Sequence, residues 1–190
     1  MATKPKKSAP TPLAPASNEL MLAESNAIYL CGDIDDEMGR KVITGLYQLQ
    51  ARGSKQIRLM ITTGGGSLFS TLAIMDTLDE LRRAKVKVTG DVMGVAASGG
   101  AYILLACGHR RASASSVLMV HGLTDHLSGD VRDMDADRAI NAAMMKSMAG
   151  RFAAKTRHNQ TYWNGLLKDA HPHWYTAGEA LKEGLIDEIV

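Results

Sequence analysis

Short apolar runs recur along this chain, and most are followed by a glycine or small-residue turn and then by apolar positions at helical spacing. Ala27–Cys31 closes at Gly32, and Met38, Val42, Leu46 and Leu49 follow at intervals of four, four and three. Residues 57–62 run into Thr63-Gly64-Gly65-Gly66-Ser67, after which Leu68, Leu72, Met75, Leu78 and Leu81 share one stripe. Residues 86–92 lead into a run of small residues, Gly94-Val95-Ala96-Ala97-Ser98-Gly99-Gly100-Ala101-Tyr102, and a helix-compatible stretch to Cys107 that stops at Gly108. Val117–Val120 then ends at His121. Runs of four to eight apolar residues read as buried strands, and the stripes between them as amphipathic helices. Strand and helix in strict alternation imply right-handed crossovers and a largely parallel sheet, an α/β fold.

In such folds, sites gather where strands end. Ser98 falls where a strand turns into a helix. The first N–H groups of a helix lack intrahelical partners and carry partial positive charge, so an oxygen nucleophile there has donors beside it for a developing oxyanion. His121, at the end of another strand, supplies the second half of a nucleophile–base pair. Gly65 and Gly99 offer two backbone N–H groups to one oxyanion. Each residue also has a plain reading: Ser98 as a helix cap, His121 as a surface histidine, Gly64-Gly65-Gly66 as a turn. The glycines lack the Lys-Ser/Thr ending of a phosphate-binding loop, which discounts nucleotide binding. Three features at the same kind of place raise the catalytic reading above the plain ones.

The rest of the chain is bounded by its composition. At 190 residues one domain is the natural division, and 45% hydrophobic content calls for a folded core. A formal net charge of +2, part of it in Lys4, Lys6 and Lys7, argues against an electrostatic nucleic-acid binder. Residues 1–17, rich in Pro, Ala, Lys and Thr, have no periodicity and read as a disordered tail ahead of a domain at 18–190. Cys31 and Cys107 sit in apolar stretches and read as reduced core thiols, which, with no apolar signal region at the N-terminus, points to the cytoplasm. The apolar run at 92–107 is too short for a membrane span. Residues 130–158 read as one long helix with Val131, Met134, Ile140, Met144, Met148 and Phe152 among its apolar positions. It is on the order of 40 Å long at 1.5 Å per residue, in excess of what one small sheet needs, and its methionines suit an adaptable subunit interface. Thr176-Ala177-Gly178-Glu179 is a capping box, Gly184 ends its helix, and residues 185–190 close the chain as a strand.

From about Leu20 onward the chain resembles the ClpP family, the proteolytic subunits of the Clp protease, serine peptidases related to the crotonase fold. Residues 93–102 are similar to the family's nucleophile motif, with Ser98 on the nucleophile, and Val117–Val120 with His121 to its strand ending in the catalytic histidine. Gly64-Gly65-Gly66 stands where the family has Pro-Gly-Gly, and Thr176-Ala177-Gly178-Glu179-Ala180 with Gly184-Leu185-Ile186-Asp187 resembles its closing helix and strand. The resemblance implies a ClpP/crotonase-like fold of repeated βαβ units with a protruding handle helix, and a serine endopeptidase cleaving unfolded polypeptides inside a chamber. It implies oxyanion donors at Gly65 and Gly99, and self-assembly as a heptameric ring or stacked pair of rings. No metal or cofactor is expected, with ATP entering only through a partner AAA+ unfoldase.

The chain departs from the family at three places. The position of the triad aspartate, two residues before an aromatic matched by Trp174, falls on Pro172; Asp169 is the nearest carboxylate, with His171 and His173 as alternatives for orienting His121. Arg58 and Met60 occupy positions where the family tends to place tyrosines that help bind the unfoldase, so that partner is in question. The proline before the double glycine is missing. Two other readings stand beside the peptidase: a catalytically silent ring subunit, which Pro172 favours, and an acyl-CoA enzyme of the crotonase fold, which CoA binding would reveal.

Overall fold

A computed structural model describes residues 21–22, 25–123, 131–168 and 171–190, with side chains described for 25–123, 138–168 and 171–190. The expected tail at 1–17 lies outside the described residues. The chain begins with β1 (Met21–Leu22) and β2 (Ala27–Cys31), then α1 (Asp36–Ala51), β3 (Gln56–Thr63), α2 (Leu68–Arg83), β4 (Lys87–Ala97) and α3 (Gly99–Ala106). It continues through β5 (His109–Ala112), β6 (Val117–Val120), α4 (Val131–Lys155), α5 (Gln160–Leu166), β7 (His173–Thr176), α6 (Ala177–Glu183) and β8 (Glu188–Ile189). Among the described residues these strands form one sheet in the order β1-β2-β3-β4-β5-β8, with β6 joined to β4 and β7 to β6. Pairing is parallel except for β1–β2 and β6–β7. The α/β reading of the sequence therefore holds.

Local chemistry explains the borders. Asp35 caps α1 by accepting from the Met38 N–H, and Ser67 caps α2 by accepting from Ser70. Arg82 and Arg83 face the negative end of the α2 dipole. Thr176 and Glu179 form the expected capping box, and Gly184 ends α6 in the left-handed region at φ 77°.

Strand β4 differs most from its expected extent. It does not stop at Val92 but continues to Ala97, through Gly94 at φ 87°. Its first half pairs with β5, from Thr89↔His109 to Val92↔Ala112, and its second half with β6, from Val95↔Val117 to Ala97↔Met119. Ser116, buried at the switch, accepts the Gly94 N–H at 3.0 Å and donates to the Val92 carbonyl at 3.1 Å. One strand thus changes neighbours midway, and this brings β6 beside the end of β4.

The core lies between the sheet and the helices. Ile57, Leu59 and Ile61 of β3 point inward, with Ile74, Met75, Leu78 and Leu81 of α2 and Ile103 and Leu104 of α3. Arg58 and Met60 point the other way, and Arg58 and Arg111 both bond the buried carboxylate of Asp91, at 2.6–2.8 Å. The long helix expected over 130–158 is α4, about 37 Å by its rise, and it ends at Lys155 rather than His158. A separate α5 follows, anchored by Trp163, which is fully buried against Phe152 and donates from Nε1 to Thr156 Oγ1 at 2.7 Å. The last strand is two residues, not six. Cys107 is buried as expected, but Cys31 is exposed. It ends β2 one residue after the inward-facing Leu30, and strand alternation turns it outward.

Candidate active site

Ser98 sits between β4 and α3 with φ 52° and ψ −119°, a conformation that costs a non-glycine residue about 1–3 kcal/mol and persists only where its surroundings impose it. Two anchors impose it here. The Ser98 N–H donates to the Met119 carbonyl at 2.8 Å, and its carbonyl accepts from Ala101 and Tyr102 in the first turn of α3. The plain reading of Ser98 as a cap fails, because its side chain makes no capping hydrogen bond. Its hydroxyl has no hydrogen-bond partner among the described residues, and the residue is half-buried.

His121 begins one residue past the end of β6, the strand that pairs with the end of β4, so both residues leave neighbouring strands about 4.8 Å apart. Tyr102 on α3 donates its phenol to the His121 carbonyl at 2.5 Å and packs edge-on against Phe152, ring centroids 5.5 Å apart. Burial pushes the Tyr102 phenol far above its ordinary range, so it stays a neutral donor. Nothing in the sequence pattern marked Tyr102 for this role; its partner lies 19 residues on, in another element. The imidazole does not contact the Ser98 hydroxyl by a hydrogen bond, and its Nδ1 is buried without a partner among the described residues.

The glycine turn after β3 packs directly on Ser98. A Cβ at Gly65, whose φ is 107°, would lie 2.7 Å from Ser98 Cβ and 3.1 Å from its Oγ, so no side chain fits there. The Gly65 N–H, expected to serve the oxyanion, instead donates to Thr63 Oγ1 at 3.0 Å. The neighbouring Gly66 has the open donor. Ile34 bonds to Gly65 and Ser67 on either side of it, at 2.8 and 2.6 Å, in a parallel bridge. In that pattern the N–H and C=O of Gly66 itself face away from Ile34, toward the side of the sheet where β4 lies. Its N–H has no partner among the described residues, and the same is true of Gly99 at the start of α3. Three consecutive glycines in a sequence cannot reveal which N–H is turned where; only the Ile34 bridge does.

Fewer described residues stand where a group orienting His121 was expected. Asp169 lies outside the described residues. The β6–β7 register pairs Val120 with His173, and one further step sets Pro172, which has no side-chain acceptor, opposite His121. His171 and His173 stand edge to face, 6.3 Å apart, and His173 Nε2 is buried without a partner among the described residues. The structure brings neither ring into a hydrogen bond with His121 Nδ1. Among the described residues no three His, Cys, Asp or Glu side chains gather closely enough to hold a metal ion.

This chain is similar to known proteins along nearly its whole length. It is 28% identical over 182 residues to the ATP-dependent Clp protease proteolytic subunit 2 of Bifidobacterium longum, covering 94% of this chain and 84% of that one. It is 29% identical over 167 residues to the proteolytic subunit 1 of Streptomyces coelicolor, covering 86% and 73% respectively. The family model for Clp protease matches residues 16–190, and with a match of that extent, on a parallel sheet whose strand ends carry Ser98 and His121, the chain belongs to the Clp protease family, as a Clp-type proteolytic subunit.

Proposed function

We propose that this subunit is a serine-type endopeptidase. The observation that carries the reading is the backbone of Ser98, held at φ 52° between β4 and α3 with its hydroxyl unused as a cap. In this reading Ser98 Oγ attacks the peptide carbonyl while His121 Nε2 takes its proton. The Gly66 and Gly99 N–H groups receive the oxyanion, and Gly65 keeps the turn close to the nucleophile. Fixed donors of this kind contribute about 3 kcal/mol each to acyl transfer. The imidazolium then gives its proton to the departing amine, and water releases the acyl group by the same steps in reverse. The hydrogen bond between Ser98 and His121 forms when substrate closes the site, as such contacts often tighten only in the complex. Asp169 supplies the carboxylate for the buried Nδ1 of His121. No metal or organic cofactor takes part.

Copies of the chain assemble into a ring or stacked rings, and polypeptides are cleaved inside. The named relatives are ATP-dependent, and an ATP-driven unfoldase would here meet Arg58 and Met60 on the outer sheet face, with Asp91 buried beneath Arg58.

The test is a serine-directed phosphonate read by intact mass, with hydrolysis of a short fluorogenic peptide. The wild type should be labelled once and should turn over; Ser98→Ala should lose both while keeping its circular dichroism. A second reading, a silent ring subunit, draws on Pro172 beside His121. It is supported if the wild type assembles but takes no label.

A further inference from the structure

The chain leaves His121 through Gly122 and reaches Leu123, which lines a cavity of about 630 Å³ between α4 and α5. Two residues span at most about 7 Å, so this wall residue lies within that distance of the proposed base along the chain. Leu123, Ala142, Met145 and Leu167 give it an apolar floor. Among the described residues that line it, the charged ones are all cationic: Arg138, Lys146 and Lys168. Lys146, on α4, and Lys168, just past α5, are exposed, and among the described residues neither ammonium has a carboxylate partner. An apolar floor rewards an uncharged side chain, and two ammonium groups on the rim favour a carboxylate beside it and disfavour a second cation.

We propose that Lys146 and Lys168 make this cavity a substrate subsite for polypeptide segments in which an apolar side chain is flanked by an acidic one. The inference rests on the peptidase reading for the identity of the bound segment, and its test separates the two. Three labelled peptides, identical except for Glu, Gln or Lys next to a central Leu, are bound to the full-length Ser98→Ala protein and followed by fluorescence anisotropy. The Glu peptide should bind about fivefold more tightly than the Gln peptide, and the Lys peptide more weakly than both, as for exposed charges. The differences should vanish in about 0.5 M salt, where such charges are screened. Lys146→Glu with Lys168→Glu should reverse the order, and Lys146→Gln with Lys168→Gln should erase it. Equal affinities at low salt, no binding of any of the three, or an order unchanged in the charge-reversed protein would overturn the inference. The same peptides are then given to the wild type. Absent turnover with the binding order intact refutes the peptidase reading alone; turnover with no preference refutes the subsite alone.

Discussion

Tyr102 shows how a residue distant in sequence positions the proposed base. Its phenol holds the carbonyl of His121 where β6 ends, and its ring is itself fixed against Phe152. Tyr102→Phe removes one hydrogen bond and keeps the packing. A neutral hydrogen bond is worth about 1 kcal/mol net, so kcat should fall about fivefold with KM nearly unchanged, because His121 loses alignment and not substrate contact. Unaltered kcat in steady-state kinetics would remove Tyr102 from the positioning role. The placement of Ser98 and His121 at strand ends was legible in the sequence because each directly follows an apolar run, and a strand end is a local property. Gly66 and Tyr102 were not, since the direction of one N–H and the reach of one phenol depend on Ile34 and on β6, which only folding brings near. The choice between Asp169 and the two histidines is decided by kinetics: loss of turnover in Asp169→Asn by several orders of magnitude, the size expected of an orienting carboxylate, identifies it, whereas wild-type turnover shifts the role to His171 or His173.

Strand β5 is the element the sequence hid. Its His109-Arg110-Arg111-Ala112 lacks the apolar look of a strand, because its charges are satisfied by partners remote in the chain. Arg110 is buried; it donates to both oxygens of Asp187 and to the carbonyls of Lys155 and Gly184, tying together α4, the end of α6 and the approach to β8. Arg111 and Arg58 share Asp91 across three strands. Arg110→Ala should therefore cost about 3 kcal/mol, since it removes the guanidinium from a carboxylate, which keeps only the backbone N–H of residue 110 and His109, and from two carbonyls, and thermal unfolding measures it. The same pairs set the response to acid. Burial raises the Asp91 carboxyl, but hydrogen bonds and charge from Arg111 and Arg58 outweigh it and hold it below its usual range; Asp187 is lowered in the same way by Arg110. A carboxyl depressed by folding adds stability above its unfolded value, about 3.9, and loses it as pH falls through the folded value. Urea midpoints should be flat above about pH 5 and drop below about pH 4, and Asp91→Asn, less stable at neutral pH, should show a shallower acid decline.

At the scale of the molecule, α4 divides the chain's commitments. Its C-terminal half belongs to this subunit: Met148, Ala149 and Phe152 are buried in the core. Farther toward its N-terminus, Ile140 is 60% exposed and Met144 only half-buried, on a helix longer than its own sheet can cover. The sequence showed the length and the methionines but not this division, because periodicity records that a face is apolar and not which body covers it. The division sets the choice of probe for assembly. A charge at Met148 would enter the subunit's own core and unfold it, reporting nothing about partners. Ile140→Glu instead places the charge at an exposed position of the subunit, where burial against a second copy would cost several kcal/mol per desolvated ion. Multi-angle light scattering of the wild type should give a mass many times that of one chain, and Ile140→Glu should give a smaller species with unchanged circular dichroism and thermal midpoint of the subunit. A wild type that runs as a monomer would refute assembly, and an Ile140→Glu protein with the full wild-type mass would move the contact off this half of α4.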